Sequence, residues 1–494
     1  MLSKSLEFLF NPESVAIVGA SENPTTYGYA FMHHLLNYGF RGRLYPINPR
    51  QSEISGVKTY PSLEDIPGSI DYVIHVIGVN NAPDIITQAA RKGAKAVHIL
   101  AGRASETGRP EGKKLEAEIL KKACECGVRV LGPNCLGVFC PKTGLAFGFE
   151  FPREPGRVGA LIQSGGNSTD LMHIAALRGI RFSKVVSYGN ALDINEIDFL
   201  RYFIDDPETG IILSYIEGLR GGSREYLELV GRAAAKKPVV ICKGGRTAVG
   251  SRIALSHTAS LAGSVNLWET AIRQAGAVPV KNLDQMVNMA VVFSFLPPLK
   301  GKNVGIVGAG GGRSVLSADE WEENGFTVPP LPREIRDRLK RRGSQLWDWL
   351  DNPADISIMP GDPLTMTDVL AEIVAHPVFD FIAADAEEDP PFSRDAFIRH
   401  LTEDMQGYIK MSRQSAKPFL IIFDERSPGI KDMDSYIHRT RAELRTLLVR
   451  EGLPFFPSVA EAALAVSEMI TYYGRRAERT TGKLPPGVKT GGTL

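Results

Sequence analysis

Ser14-Val15-Ala16-Ile17-Val18-Gly19-Ala20-Ser21 is a short apolar strand that stops at a glycine turn. The same punctuation returns at Val158-Gly159-Ala160-Leu161-Ile162-Gln163-Ser164-Gly165-Gly166. It returns again at Asn303-Val304-Gly305-Ile306-Val307-Gly308-Ala309-Gly310-Gly311-Gly312. These starts lie about 144 residues apart, one domain length each. Between them apolar strands alternate with helical patterns, as at Tyr72 to Ile77, Ala96 to Leu100, Val128 to Leu131, Gly210 to Tyr215, Phe379 to Ala383 and Phe419 to Phe423. Alternation at this spacing predicts βαβ units and parallel sheets. The expected fold class is α/β, with three doubly wound parallel-sheet domains over 1–148, 149–298 and 299–472. Pro297-Pro298-Leu299-Lys300-Gly301-Lys302 reads as a linker. Residues 473–494 lack apolar periodicity and are expected to be a disordered tail.

The global numbers fit three domains and exclude several classes. The chain has 494 residues, too many for one core. A net charge of +1 points to neither a nucleic-acid nor a membrane partner. No apolar run reaches the roughly 18 residues of a membrane helix. The N-terminus lacks the h-region and cleavage site of a signal peptide. Five cysteines (Cys124, Cys126, Cys135, Cys140, Cys242) in a long chain predict a reduced, cytoplasmic protein. Cys124-Glu125-Cys126 has the wrong spacing for a CxxC site, and no metal site is expected.

In the first domain, Gly19-Ala20-Ser21 opens a strand-to-helix turn, and Gly28 begins the helix after the loop Glu22 to Tyr27. Free amides at a helix N-terminus suit a phosphate. The dinucleotide fingerprint is absent, because Ser21 takes the second glycine position and the loop is longer. The second strand ends in Asn48-Pro49-Arg50, where NAD proteins place an acidic residue for the ribose. A phosphorylated ribose, in NADP or in coenzyme A, suits this end equally, and a turn without any ligand is the plain alternative. Ile77-Gly78-Val79, Gly102-Arg103 and Asn134 sit at later strand ends, where they would line the crevice.

In the second domain, Gln163 to Ser168 follows a strand and precedes a helix predicted over Thr169 to Leu177. Its glycines let the backbone approach an anion. The plain reading is a tight turn with a serine cap. Glu217 ends the strand Ile211 to Ile216, and a carboxylate there can fix an imidazole tautomer. A further buried strand, Pro238 to Cys242, leads through Lys243-Gly244-Gly245-Arg246 into a glycine-punctuated loop. That loop carries Ser256-His257-Thr258-Ala259-Ser260-Leu261-Ala262-Gly263. Beyond a strand end, His257 can serve as nucleophile, base or ligand, or simply bond a backbone carbonyl.

Together these segments resemble the α subunit of the NDP-forming acyl-CoA synthetases, the superfamily of succinyl-CoA synthetase and ADP-forming acetyl-CoA synthetase. The resemblance runs from about Phe8 to Tyr472, on SVAIVGAS, YPINP, GPNCLG, QSGG, YIEG and KGGRTAVGSR…SHTASLAG. It implies a Rossmann-like CoA-binding domain followed by two flavodoxin-like domains. It implies that His257 is transiently phosphorylated, that Glu217 orients it, and that Ser164, Gly165 and Gly166 receive the phosphohistidine. The implied coenzyme A residues are Gly19, Ser21, Tyr27, Gly28, Asn48, Pro49, Ile77, Val79, Gly102, Arg103 and Asn134. The implied reaction interconverts acyl-CoA, ADP and phosphate with a small carboxylic acid, CoA and ATP. ATP/ADP and Mg²⁺ would be bound by an ATP-grasp β subunit in an α2β2 assembly, because no Walker A sequence or ATP-grasp module is evident in this chain. The third domain shares GKNVGIVGAGGG and Asn352-Pro353-Ala354-Asp355 with the family, whereas Trp347, Trp349 and the acidic run Asp385 to Asp389 match nothing in it.

Two other functions compete. An NADP-dependent oxidoreductase would use the first domain but leaves His257 and the second domain without a role. A non-catalytic CoA or acyl-CoA binding, regulatory protein with a synthetase-like fold is the alternative reading. Intact His257, Glu217 and QSGG count against it.

Overall fold

A computed structural model describes residues 6–258, 265–308, 310–355, 363–386, 393–423 and 435–481, and the side chains of 254–258, 265, 480 and 481 fall outside that description. The chain divides into two compact units. The first is Met1–Ala176 with Ile180–Met286; the second is Leu177–Gly179 with Val287–Leu494.

Among the described residues the first unit holds two large sheets and the small antiparallel ribbon Glu53–Ile54 with Val57–Lys58. Ser14–Val18 is buried along its whole length, as its β-branched run requires. It pairs in parallel with Arg43–Ile47 on one side and Tyr72–His75 on the other. Ala96–Ile99 and Arg129–Leu131 complete a five-stranded parallel sheet. Chain order therefore reverses between Ser14–Val18 and Tyr72–His75, which opens a crevice at the carboxyl ends of those strands. The second sheet runs Val278–Val280, Val239–Lys243, Ile211–Ile216, Val158–Ile162, Phe182–Ser187 and Gly137–Phe139. Its reversal lies between Val158–Ile162 and Ile211–Ile216. Gly137–Phe139 is antiparallel to Phe182–Ser187. That strand lies inside the expected first domain, so residues before 148 complete the second sheet and the two α/β layers share one unit.

Among the described residues the second unit holds four parallel strands, Val304–Val307, Phe381–Asp385, Phe419–Ile422 and Phe455–Phe456. The other edge of the Val304–Val307 strand carries, among the described residues, single bridges, Asn303 to Thr327 and Val307 to Ala354. Between them the Asn352 side chain replaces a strand. Its Oδ1 accepts from Ile306 N at 2.8 Å, and its Nδ2 donates to Val304 O at 2.9 Å and Pro329 O at 2.9 Å. Asp355 accepts the Gly311 N–H at the start of helix Gly311–Glu323. Both polar residues of Asn352-Pro353-Ala354-Asp355 thus have structural roles. Trp321, fully buried, packs edge-on against Phe326 and Phe381 with ring centroids 5.0 and 5.4 Å away.

Three expected boundaries shift. The helix predicted over Thr169 to Leu177 begins at Gly165, because Ser164 Oγ accepts from Asn167 N (3.3 Å) and caps it earlier. The loop after Arg246 becomes the helix Ala248–Thr258, capped by Thr247 Oγ1 accepting from Gly250 N at 3.0 Å. The final helix, Val459–Thr481, continues through residues expected to be disordered. Arg476 Nη1 lies 3.5 Å from Tyr472 Oη one turn earlier, and such pairs extend a polar helix beyond its apolar face.

Candidate functional site

At the reversal of the second sheet, strand Val158–Ile162 ends in Gln163 and Ser164, and the helix Gly165–Leu177 starts at once. Ser164 takes up the Asn167 N–H, and the N–H groups of Gly165 and Gly166 belong to the first turn, which has no intrahelical acceptors. Leu136 approaches so closely that a Cβ at Gly165 would lie 3.1 Å from its Cγ. A Cβ at Gly166 would meet no atom within 4 Å beyond its chain neighbours and its own helix backbone. A bare helix start of this kind attracts anions through its N–H groups and its dipole.

The neighbouring strand Ile211–Ile216 delivers Glu217 to the same edge. Tyr215 Oη donates to Glu217 Oε1 at 3.2 Å. Burial, followed by the Glu217 charge, raises the Tyr215 hydroxyl above its ordinary pKa and keeps it a donor. The backbone of Glu217 is pinned from two sides. Its N–H donates to Gln163 Oε1 at 2.7 Å, and its carbonyl accepts from Lys243 Nζ at 2.7 Å. Burial lowers the Lys243 pKa, against the pull of Glu217. Gly244 follows Lys243, and a Cβ there would lie 2.6 Å from Tyr215 Oη.

The first sheet supplies the opposite wall. Helix Tyr27–Asn37 comes so near the preceding turn that a Cβ on Gly28 would lie 1.9 Å from Gly19 O. Gly19 itself has φ +97° beneath Ile77. Asn48 Nδ2 donates to Ala20 O at 2.9 Å and its Oδ1 accepts from Arg50 N at 2.9 Å, so this side chain braces the turn. Ser21 Oγ accepts from Asn23 N at 3.0 Å. Arg103 and Asn134 adopt left-handed φ values of 73° and 61°. Glu106 accepts from the N–H of Arg103 and of Ala104.

A cavity of about 630 Å³ joins the two walls. It brings Tyr27, Gly102 and Asn134 together with Ser164, Gly165, Gly166 and Glu217. Gly19, Ser21, Gly28, Asn48, Pro49, Ile77, Val79 and Arg103 do not line it. Val79 departs furthest from expectation: it is 5% exposed and packs in the core of the first sheet, so only its backbone can meet a ligand. The side chain of His257 lies outside the described residues; its backbone is in the last turn of helix Ala248–Thr258.

Gln163, Gly189 and Asn190 also line the cavity and were not among the expected site residues. Asn190 follows strand Phe182–Ser187 and is braced by Glu106 and Glu116, at 2.7 and 2.9 Å from its Nδ2. The apolar pair Val185-Val186 running into the glycine turn Tyr188-Gly189-Asn190 is the sequence signal that marks this strand end. A larger cavity, about 1050 Å³, includes Lys95, Arg129 and Asp198 and contains none of the expected site residues. Arg129 there is neutralised by Asp193 at 2.9 Å and Asp198 at 3.2 Å. Among the described residues no group of three His, Cys, Asp or Glu could hold a metal ion, and all five cysteines are free. No described helix is long and apolar enough to cross a membrane.

Comparison with known proteins agrees with this layout. Residues 13–141 match the CoA binding domain family and residues 155–293 the succinyl-CoA ligase like flavodoxin domain family. The chain is 36% identical to the α subunit of acetate–CoA ligase (ADP-forming) I of Pyrococcus furiosus, over 77% of this chain and 82% of that one. It is 32% identical to the α subunit of the organism's isoform II, over 94% and 97% of the two chains. Its structure is similar to that of the dinucleotide-forming acetyl-coenzyme A synthetase 1 of Ca. Korarchaeum cryptofilum in complex with phosphate and ADP, with a TM-score of 0.78 and 28% identity over 97% of this chain and 99% of that one. The chain belongs to the NDP-forming acyl-CoA synthetase family and is similar to its α subunits.

Proposed function

We propose that this chain is the CoA-binding and phosphoryl-carrying component of an ADP-forming acyl-CoA synthetase. The observation that carries the reading is the meeting of Gly102 and Asn134 from one sheet edge with Ser164–Gly166 and Glu217 from the other, around one cavity. Coenzyme A is held against the first sheet by the turns at Gly19–Gly28, Asn48-Pro49, Ile77–Val79, Gly102-Arg103 and Asn134. Its thioester end reaches the cavity.

A phosphate oxygen attacks the thioester carbonyl, the C–S bond breaks, and CoA leaves with the proton released. The acyl phosphate so formed lies on the Ser164–Gly166 turn, whose N–H groups spread its charge. A ring nitrogen of His257 then attacks phosphorus; a P–N bond forms, the P–O bond breaks and the carboxylate leaves. Glu217 accepts the N–H of the other ring nitrogen, which fixes the tautomer and steadies the cation that forms. Finally a terminal oxygen of ADP takes the phosphoryl group and restores His257. Mg²⁺ and ADP are held by an ATP-grasp β subunit, in an α2β2 assembly. The relatives that are named as α subunits support a partner. Acetate, the acid in those names, is the first substrate to try. Functional domains over 1–148, 149–298 and 299–472 follow the same reading, and five free cysteines suit a reducing cytoplasm.

The chain and its partner, purified together, should convert acetate, CoA and ATP to acetyl-CoA, ADP and phosphate. Release of AMP and pyrophosphate instead, or CoA binding with no turnover of any short-chain acid, would count against the proposal.

A further inference from the structure

Gln163 is 4% exposed, between the end of strand Val158–Ile162 and Ser164. Its Oε1 accepts two backbone N–H bonds, from Glu217 at 2.7 Å and Gly218 at 3.1 Å. Two donors aimed at one atom require that atom to be the amide oxygen, so the side chain cannot be flipped. The NH₂ end is therefore fixed as well, and Nε2 is buried without a partner. A buried N–H left unpaired is costly and calls for an acceptor. Gln163 lines the same cavity as Ser164, Gly165, Gly166 and Glu217. Gly166 leaves open space where a side chain would otherwise stand.

We propose that Gln163 is a binding residue of this site, whose Nε2 donates to a phosphoryl oxygen seated on the Ser164–Gly166 turn while its Oε1 holds Glu217 in place. The proposal deepens the function proposed above and rests on a phosphoryl group visiting that turn. An amide adds a hydrogen bond without adding positive charge. It can hold a phosphoryl group and still release it to the next acceptor, where a lysine would trap it. Inorganic phosphate, acyl phosphate and phosphorylated imidazole all present the same oxygen.

The test uses the full chain with its partner. Gln163→Glu keeps an acceptor for Glu217 and Gly218 but turns the donor end into an anion. Losing a donor to a charged oxygen should raise the KM for inorganic phosphate about tenfold to hundredfold. The KM for acyl-CoA should stay within about twofold. The defect should shrink as pH falls from about 8 to about 6, because a protonated carboxyl regains an O–H donor. A purely structural role would show no such recovery. Labelling of the chain by labelled acetyl phosphate should slow in parallel if the bond is made to acyl phosphate. A defect confined to inorganic phosphate assigns the bond to the free ion. Wild-type phosphate KM and labelling in Gln163→Glu would overturn the proposal.

If that variant does not fold, a structure of the wild-type complex with inorganic phosphate decides. Nε2 within about 3.2 Å of a phosphate oxygen supports the assignment, and a phosphate elsewhere, or Nε2 beyond about 4 Å, refutes it. A wild-type chain that acetyl phosphate does not label, with an active partner present, counts against the phosphoryl reading itself. The phosphate complex still judges Gln163 separately.

Discussion

Asn190→Ala should loosen the first unit and weaken its CoA site together. Asn190 is 2% exposed and shares its two Nδ2 protons between Glu106 Oε2 (2.7 Å) and Glu116 Oε1 (2.9 Å). Glu116 is buried and keeps only Ser105 once Asn190 is gone, through Oγ at 2.7 Å and N at 3.3 Å. A hydrogen bond to a charged group contributes about 1.5–3 kcal/mol. Glu106 is partly exposed, so solvent screening cuts its share to about 1 kcal/mol. The buried Glu116 bond supplies about 2 kcal/mol more. A loss of about 3 kcal/mol corresponds to a fall of about 6–12 °C in Tm for a unit of this size. Asn190→Asp should be worse near neutrality, because three carboxyl groups then share one site. The new carboxyl binds its proton more tightly folded than unfolded, so the deficit should lessen as pH falls toward about 5. Calorimetry on both variants, with CoA titration beside it, reads these effects. An Asn190→Ala protein melting within about 1 °C of wild type would refute the reasoning.

Four further outcomes follow from the same geometry. Gly28→Ala sets a Cβ 1.9 Å from Gly19 O, so the turn must open; CoA affinity should fall at least about tenfold, as isothermal titration would show. Asn352→Ala removes three buried hydrogen bonds, about 3 kcal/mol, and should speed hydrogen exchange in Val304–Val307 about a hundredfold. Burial holds His75 and His98 at pKa values of about 4, below the ordinary 6.5. The unfolded chain therefore takes up protons first, and stability should drop between about pH 6.5 and 4, by up to about 3 kcal/mol per histidine; His98→Gln should flatten that slope in urea melts. Glu217→Gln should slow chain phosphorylation about tenfold to hundredfold while leaving CoA affinity unchanged in the same titration.

Much of the fold is legible because buried parallel strands are written as short apolar runs that lead into glycine turns. Ser14–Val18, Val158–Ile162 and Val304–Val307 all announce themselves this way. Gly137–Phe139 did not, since three residues carry too little pattern to reveal that they pair antiparallel on another sheet. The edge of the third sheet was equally hidden, because Asn352 completes it with a side chain. Ser164–Gly166 and Glu217 are legible as strand-end positions, and they line one cavity. The roles of Gln163 and Asn190 are not legible that way, since their importance lies in partners far along the chain, Glu217 for one and Glu106 and Glu116 for the other. The burial of the Val79 side chain is not legible in the sequence, because a strand-end position says nothing about which way a side chain points. The helix at Ala248–Thr258 was obscured by Gly250 and a run of small residues that read as loop.

The central claim is that His257 carries a phosphoryl group between two substrates. The most direct measurement is labelling of the chain by γ-labelled ATP and Mg²⁺ in the presence of its partner, with His257→Ala alongside. The account predicts acid-labile label on the wild-type chain, mapped to His257, absent from the variant, and discharged by adding a carboxylate and CoA together. Label that persists in His257→Ala, or acyl-CoA synthesis by that variant at the wild-type rate, would contradict it.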